Sequence, residues 1–288
     1  MRIQLGWFDG TLAKRIAGIA AGELEPAATR NAATVMVVRE APAGGVEILM
    51  LKRPASMKFA GGAYVFPGGS VDSADFGAAD ADDAKANAGW HGPSAEEFGE
   101  RLGTTPELAR ALVWAAVRET FEEAGVLLAG TPDGTLVVPD GPDWEADRAA
   151  LNEGAISLAG LLGRRGLVLR ADLLTPWARW ITPLAEPKRF DARFFAAALP
   201  AGQQATAHAA EAEKIVWVRP DDALDAARRG EMSLLPPTAT TLGEFTLASG
   251  VADILGRARE VAPIQPVLVN SEDGRAWLEV PDGIGYPL

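Results

Sequence analysis

The chain has 288 residues, 48% of them apolar, enough to bury one large core or a core with a smaller lobe. A net charge of -12 and a pI near 4.7 argue against nonspecific attraction to nucleic-acid phosphates, and they require local cations for any anionic substrate. With no cysteine, disulfides, thiolate metal sites and cysteine nucleophiles are all excluded, which fits a reducing compartment.

The opening stretch "MRIQLGWFDGTLAKRIAGIAAGELEP" holds no apolar run long enough for a signal sequence. No later run reaches about 18 uninterrupted apolar residues. These features predict a cytoplasmic protein with no membrane partner. Residues 11–21 carry Leu12, Ile16 and Ile19 at helical spacing. Two strand-like runs at 33–40 and 46–53, joined by "APAGG", predict a hairpin, and "AYVFPGG" reads as a short extended run stopped by Pro67 and two glycines. Residues 76–103 turn rich in Ala, Asp and Gly and read as an inserted or mobile segment rather than core. Within them, Ser94 and Glu97 have capping-box spacing, which predicts a helix near 95–102.

A helix is predicted over 106–124, with Thr105 as its cap, Pro106 at its first position and Gly125 just past its end. Strands follow at 177–183, 189–199 and 213–220, then a helix over "DDALDAARRG" and two more within 236–259. The tail reads as a hairpin turning near Asp273 and Gly274. This organisation gives an N-terminal extension (1–30), a main domain (31–230) with the insertion at 76–103, and a C-terminal helical extension and hairpin (231–288).

Within the 106–124 helix, Glu119, Glu122 and Glu123 fall within roughly 100° of arc, crowding three carboxylates onto one stripe. The stripe lies near the helix carboxyl end, where the macrodipole disfavours anions, so a positive partner is needed. Candidates are the neighbouring Arg118 and a hard divalent cation such as Mg²⁺ or Mn²⁺, which suits an all-oxygen donor set. "FPGG" at 66–69 adds a turn whose backbone can approach an anion closely.

Together these residues resemble the Nudix box, G-x5-E-x7-R-E-U-x-E-E-x-G-U, where U is bulky and apolar. Arg118, Glu119, Glu122, Glu123, Gly125 and Val126 match its second half, with Thr120 standing at a U position. Gly69 is followed after five residues by Asp75 in place of Glu, and residues 76–117 separate the halves where the family has seven. Long loops are cheap in entropy, so the halves are read as one interrupted motif. The interruption, with "ARWITP" and "KRFDARFF", is similar to the Nudix branch that includes the animal peroxisomal coenzyme A diphosphatase.

The resemblance implies a Nudix-type α/β/α sandwich around a mixed sheet, with C-terminal helices added. It implies metal-dependent hydrolysis of the diphosphate in a nucleoside diphosphate derivative, coenzyme A or acyl-coenzyme A being the branch substrate. ADP-ribose or a dinucleotide is the alternative substrate, and an inactive binding or regulatory module is the alternative class. Glu119, Glu122 and Glu123, with Gly69, would hold Mg²⁺ or Mn²⁺, and Arg118 would orient Glu119. Asp75, Glu211 and Glu213, with Asp72 and Glu186 behind them, are candidates for a further acid. Arg53, Lys58 and Arg189, beside Lys52 and Lys188, are candidates for substrate phosphates; Trp177, Trp180 and Phe190 are candidates for stacking on a base, although aromatic residues in strands are more often core. The implied partner is a small-molecule diphosphate, with no nucleic acid, and a homodimer is compatible with the family. His91 and His208 are read as bystanders.

Overall fold

The Thr29–Glu40 strand runs through the middle of the molecule, and its side chains alternate between two cores. In this computed structural model, which describes residues 2–4, 10–57, 60–77, 89–207, 213–270 and 276–288, Ala33, Val35 and Val37 face one core while Met36 and Val38 face the other. That alternation is the period of two expected of a strand covered on both sides. Among the described residues the main sheet has nine strands. Its order is Ser233–Leu234, Ala63–Val65, Val46–Lys52, Thr29–Glu40, Arg189–Ala198, Thr175–Ile181 and Pro263–Ile264. Lys214–Val218 pairs beside Val46–Lys52, and Gly68–Ser70 beside Thr29–Glu40. The sheet is mixed, since Arg189–Ala198 runs parallel to Thr29–Glu40 and antiparallel to Thr175–Ile181.

One core lies under the helices Ala95–Leu102 and Pro106–Ala124, and the second under Pro220–Arg228, Pro236–Phe245 and Val251–Leu255. The architecture is therefore an α/β/α sandwich around a mixed sheet. Beyond Gly230 the chain returns to the sheet through two short strands, so the C-terminal part contributes sheet edges as well as helices. Val267–Asn270 and Ala276–Glu279 form the expected hairpin, joined by Arg2–Gln4, while its turn at Asp273 and Gly274 lies outside the described residues. Among the described residues no helix is long and apolar enough to cross a membrane.

One expectation is corrected, and one pair of alternatives is decided for the core. The 76–103 segment is not peripheral throughout: Ser94 and Glu97 close a capping box on Ala95–Leu102, and Phe98 and Leu102 are fully buried in the first core. Burying Phe98 alone stabilises by about 2 kcal/mol, so this part of the insertion belongs to the core. Trp177 and Trp180 are core residues rather than base-stacking surfaces; Trp177 is 1% exposed and stacks edge-on against Phe245. The helices Pro142–Asn152 and Leu158–Arg164 were not anticipated from the sequence.

Candidate active site

Thr105 caps the Pro106–Ala124 helix by accepting from the Leu108 N–H at 3.3 Å, and Pro106 occupies the first turn, where its missing N–H costs nothing. Gly125 ends the helix at φ 67°, a left-handed backbone that favours glycine, and its N–H donates to Phe121 O. Leu112, Val113, Ala116, Val117 and Phe121 bury the apolar face against Ala33 and Val35. That docking turns the glutamate stripe toward the Gly68–Ser70 strand. Thr120, at a place where the motif has an apolar residue, is fully buried, and its hydroxyl donates to Ala116 O at 2.7 Å, so the polar atom is satisfied within the helix.

The two halves of the interrupted motif meet. Arg118 donates from Nε to Asp75 Oδ1 at 3.0 Å and from Nη2 to Asp75 Oδ2 at 2.9 Å. Its Nη1 reaches Glu119 Oε1 and Glu122 Oε2, each at 2.9 Å, and Nη2 also donates to Ser70 O at 3.0 Å. Burial opposes the Arg118 charge, but its hydrogen bonds to Asp75 and the charges of Glu119, Asp75 and Glu122 outweigh it and hold the guanidinium above its usual range. Asp75 is 3% exposed and also accepts the Asp72 N–H at 2.9 Å. The structure thus places Asp75 as the carboxylate that clamps Arg118, a role the sequence reading missed when it grouped Asp75 with the further acids. The signal was present in the spacing from Gly69, where the motif carries its first acid.

Gly68 and Gly69 are fitted to the acids at close range. Gly68 N–H donates to Glu123 Oε2 at 2.8 Å. A Cβ at residue 69 would lie 2.3 Å from Glu119 Oε1, and one at residue 68 would lie 2.5 Å from Ala33 O. A side chain is therefore excluded by backbone at residue 68, and at residue 69 it would displace the Glu119 carboxylate. The group comprises four carboxylates, one guanidinium and a close backbone turn. Among the described residues no three acids or histidines stand together as a finished ligand cluster, and Arg118 Nη1 bridges Glu119 and Glu122. The donor chemistry, carboxylate oxygens at a glycine turn, fits a hard divalent cation.

The remaining candidates disperse. Glu213 accepts Lys52 Nζ at 3.1 Å and the Ala55 N–H at 3.3 Å; the lysine holds this carboxyl below its usual range. Arg53 is half-buried, its Nε without a partner among the described residues, and its backbone ties the following loop through Ala63 O and Gly62 N. Arg189 is buried and donates to Thr182 O and Ala27 O, which makes it a strut between chain segments. Lys188 lies over the Phe190 ring at 5.1 Å. Burial pushes the half-buried Glu186 carboxyl up, with Arg15 opposing. His91 is exposed, whereas Lys58, His208 and Glu211 lie outside the described residues. Arg148, in a helix the sequence reading passed over, donates to Glu122 O at 2.9 Å and to both oxygens of Thr206, anchoring the carboxyl end of the acid helix.

Residues 27–244 match the family model described as the NUDT19 Nudix domain. The human protein named acyl-coenzyme A diphosphatase NUDT19 is 27% identical over 275 residues, covering 83% of this chain and 72% of its own length. The chicken protein of that name is 28% identical over 267 residues, with 78% and 70% covered. A Caenorhabditis elegans protein that carries the name nudix hydrolase 7 is 29% identical over 206 residues, and the chain spans 57% of its length. Among solved structures, a NUDIX hydrolase from Alicyclobacillus acidocaldarius superposes with a TM-score of 0.68 at 29% identity, covering 82% of this chain and 99% of that one. With its interrupted box assembled in space and its family model matched over most of its length, the chain belongs to the NUDT19 Nudix domain family.

Proposed function

We propose that this protein hydrolyses the diphosphate of coenzyme A or an acyl-coenzyme A, using Glu119, Glu122 and Glu123 with the Gly68–Gly69 turn as its site. The observation that carries the reading is the fit of that turn to the acids, with Gly68 N–H on Glu123 and no room for a side chain between residue 69 and Glu119. The substrate assignment is supported by the names of the human and chicken relatives.

Glu119, Glu122 and Glu123 would hold Mg²⁺ or Mn²⁺, with Gly69 lending backbone. When bound, the ion supplies neutralisation of charge on the diphosphate oxygens and makes water more acidic. Arg118, fixed by Asp75, holds the carboxylates of Glu119 and Glu122 in alignment. Asp75 holds the arginine in place from the far side and does not itself need to meet substrate. Water attacks one phosphorus, the bond from that phosphorus to the bridging oxygen breaks, and the leaving phosphate keeps the bridging oxygen. For coenzyme A the products are phosphopantetheine and adenosine 3',5'-bisphosphate.

Product analysis with Mg²⁺ or Mn²⁺ and a panel of coenzyme A, an acyl-coenzyme A, ADP-ribose, NADH and a diadenosine polyphosphate tests the reading. Cleavage of the coenzyme A members to the two monophosphates is expected. Exclusive cleavage of ADP-ribose or a dinucleotide would retain the site and replace the substrate. Cleavage of none would leave a binding or regulatory role.

A further inference from the structure

A buried ionic group that the reaction does not use lies two strands from the acids. The strand registers place Gly69, Ala33, Arg193 and Arg179 side by side on one rung, and Asn31, Asp191 and Ile181 on the next rung of that face. Side chains two residues apart on a strand share a face, so Arg193 stands on the face that carries Glu119 over Gly69, about 10 Å away at ordinary strand spacing. Arg193 is 1% exposed. Its Nη1 donates to Asn31 Oδ1 at 3.2 Å and pairs with Asp191 Oδ1 at 2.8 Å. Arg179 grips the same carboxylate from Nε at 2.9 Å and Nη2 at 2.7 Å. Two guanidinium groups thus share one carboxylate, and Arg193 Nε is buried without a partner among the described residues.

Such a group is a poor way to gain stability, because apolar side chains of similar volume often serve as well or better. What it holds is Asn31. The backbone carbonyl of Asn31 accepts the Val71 N–H at 2.9 Å, and the preceding Ser70 carbonyl receives Arg118 Nη2. Gly68 and Gly69 lie against Ala33 and Glu119 with no spare space. The placement of residues 31–34 therefore fixes the turn and, through it, the acids.

We propose that Arg193, itself held by Asp191 and Arg179, is a positioning residue that sets the spacing between the Gly68–Gly69 turn and the glutamates of the helix. This rests on reading the acid group as the hydrolytic site. The test compares Arg193→Met and Arg193→Lys with Phe245→Leu, a lesion in the opposite core. Three quantities are read: hydrogen exchange of residues 67–71 in the metal-free protein, the Mn²⁺ concentration that half-shifts the melting temperature, and kcat against KM.

For Arg193→Met, exchange at 67–71 is expected to quicken, the Mn²⁺ midpoint to rise about tenfold or more, and kcat to fall by at least as much while KM changes little. Arg193→Lys should recover part of each, and Phe245→Leu should lower only the melting temperature. Unchanged exchange, Mn²⁺ midpoint and kcat in Arg193→Met, with only lower stability, would overturn the positioning role. If the wild type neither cleaves coenzyme A nor shifts with Mn²⁺, the hydrolytic reading fails, and the exchange at 67–71 still decides whether Arg193 sets the turn.

Discussion

Arg118 holds Asp75, 43 positions earlier in the chain, through two hydrogen bonds of 3.0 and 2.9 Å. This pair closes the interrupted motif: the loop acid and the helix arginine meet although a folded segment intervenes. Asp75→Asn would remove the two-point clamp on the buried guanidinium and leave Glu119 and Glu122 paired with it. It is expected to cost about 3 kcal/mol, read as a lower urea midpoint with an unchanged slope. Asp75→Glu, which restores the acid of the usual motif, should recover most of the loss.

The two glycines should respond differently to alanine. At residue 68 the added Cβ meets backbone, Ala33 O at 2.5 Å and Thr34 Cα at 2.7 Å, and neither can move away cheaply. At residue 69 it meets the end of the Glu119 side chain, which can turn aside. Gly68→Ala is therefore expected to lower the melting temperature strongly. Gly69→Ala should change it little while reducing kcat about a hundredfold, the scale of a 1 Å misplacement. Thermal melts and steady-state kinetics on the two variants check both.

Acid sensitivity should map to Asp191. Burial alone would raise its pKa, but the hydrogen bond from Arg179 and the charges of Arg193 and Arg179 outweigh that and hold it below the usual carboxylate range. A depressed folded-state pKa contributes stability that is present above the unfolded value and is lost as pH falls through the folded value. Melting temperature should therefore drop as pH falls from about 5 toward 2, and Asp191→Asn, less stable at neutral pH, should show a flatter profile over that window. Parallel profiles for the two proteins would assign the acid response elsewhere.

The helix of the site was legible because its signals are local: Thr105, Pro106 and Gly125 mark its ends, and Glu119, Glu122 and Glu123 fall on one stripe within it. The central strands were legible as short apolar runs around a Pro and Gly turn, and Val35 and Met36 show why the runs are continuous by facing opposite cores. Asp75 was misgrouped because its role depends on a partner across the insertion. Arg189 looked available as a strand-end cation, yet two carbonyls from distant segments bury it. Trp177 read as core from its place in a strand, as strand aromatics usually are, but its edge-on partner Phe245, far away in sequence, could not be named. Pro142–Asn152 went unread because only Leu151 of that helix is buried, which leaves a weak apolar stripe.

The most direct measurement is the rate of coenzyme A cleavage in Mn²⁺ by the wild type and by Glu122→Gln and Glu123→Gln, each also assayed after chelation. We expect cleavage that chelator abolishes, with kcat reduced about a thousandfold in both variants, on the scale of the several kcal/mol a metal ion supplies. Cleavage at the wild-type rate by both variants would contradict the assignment of the site.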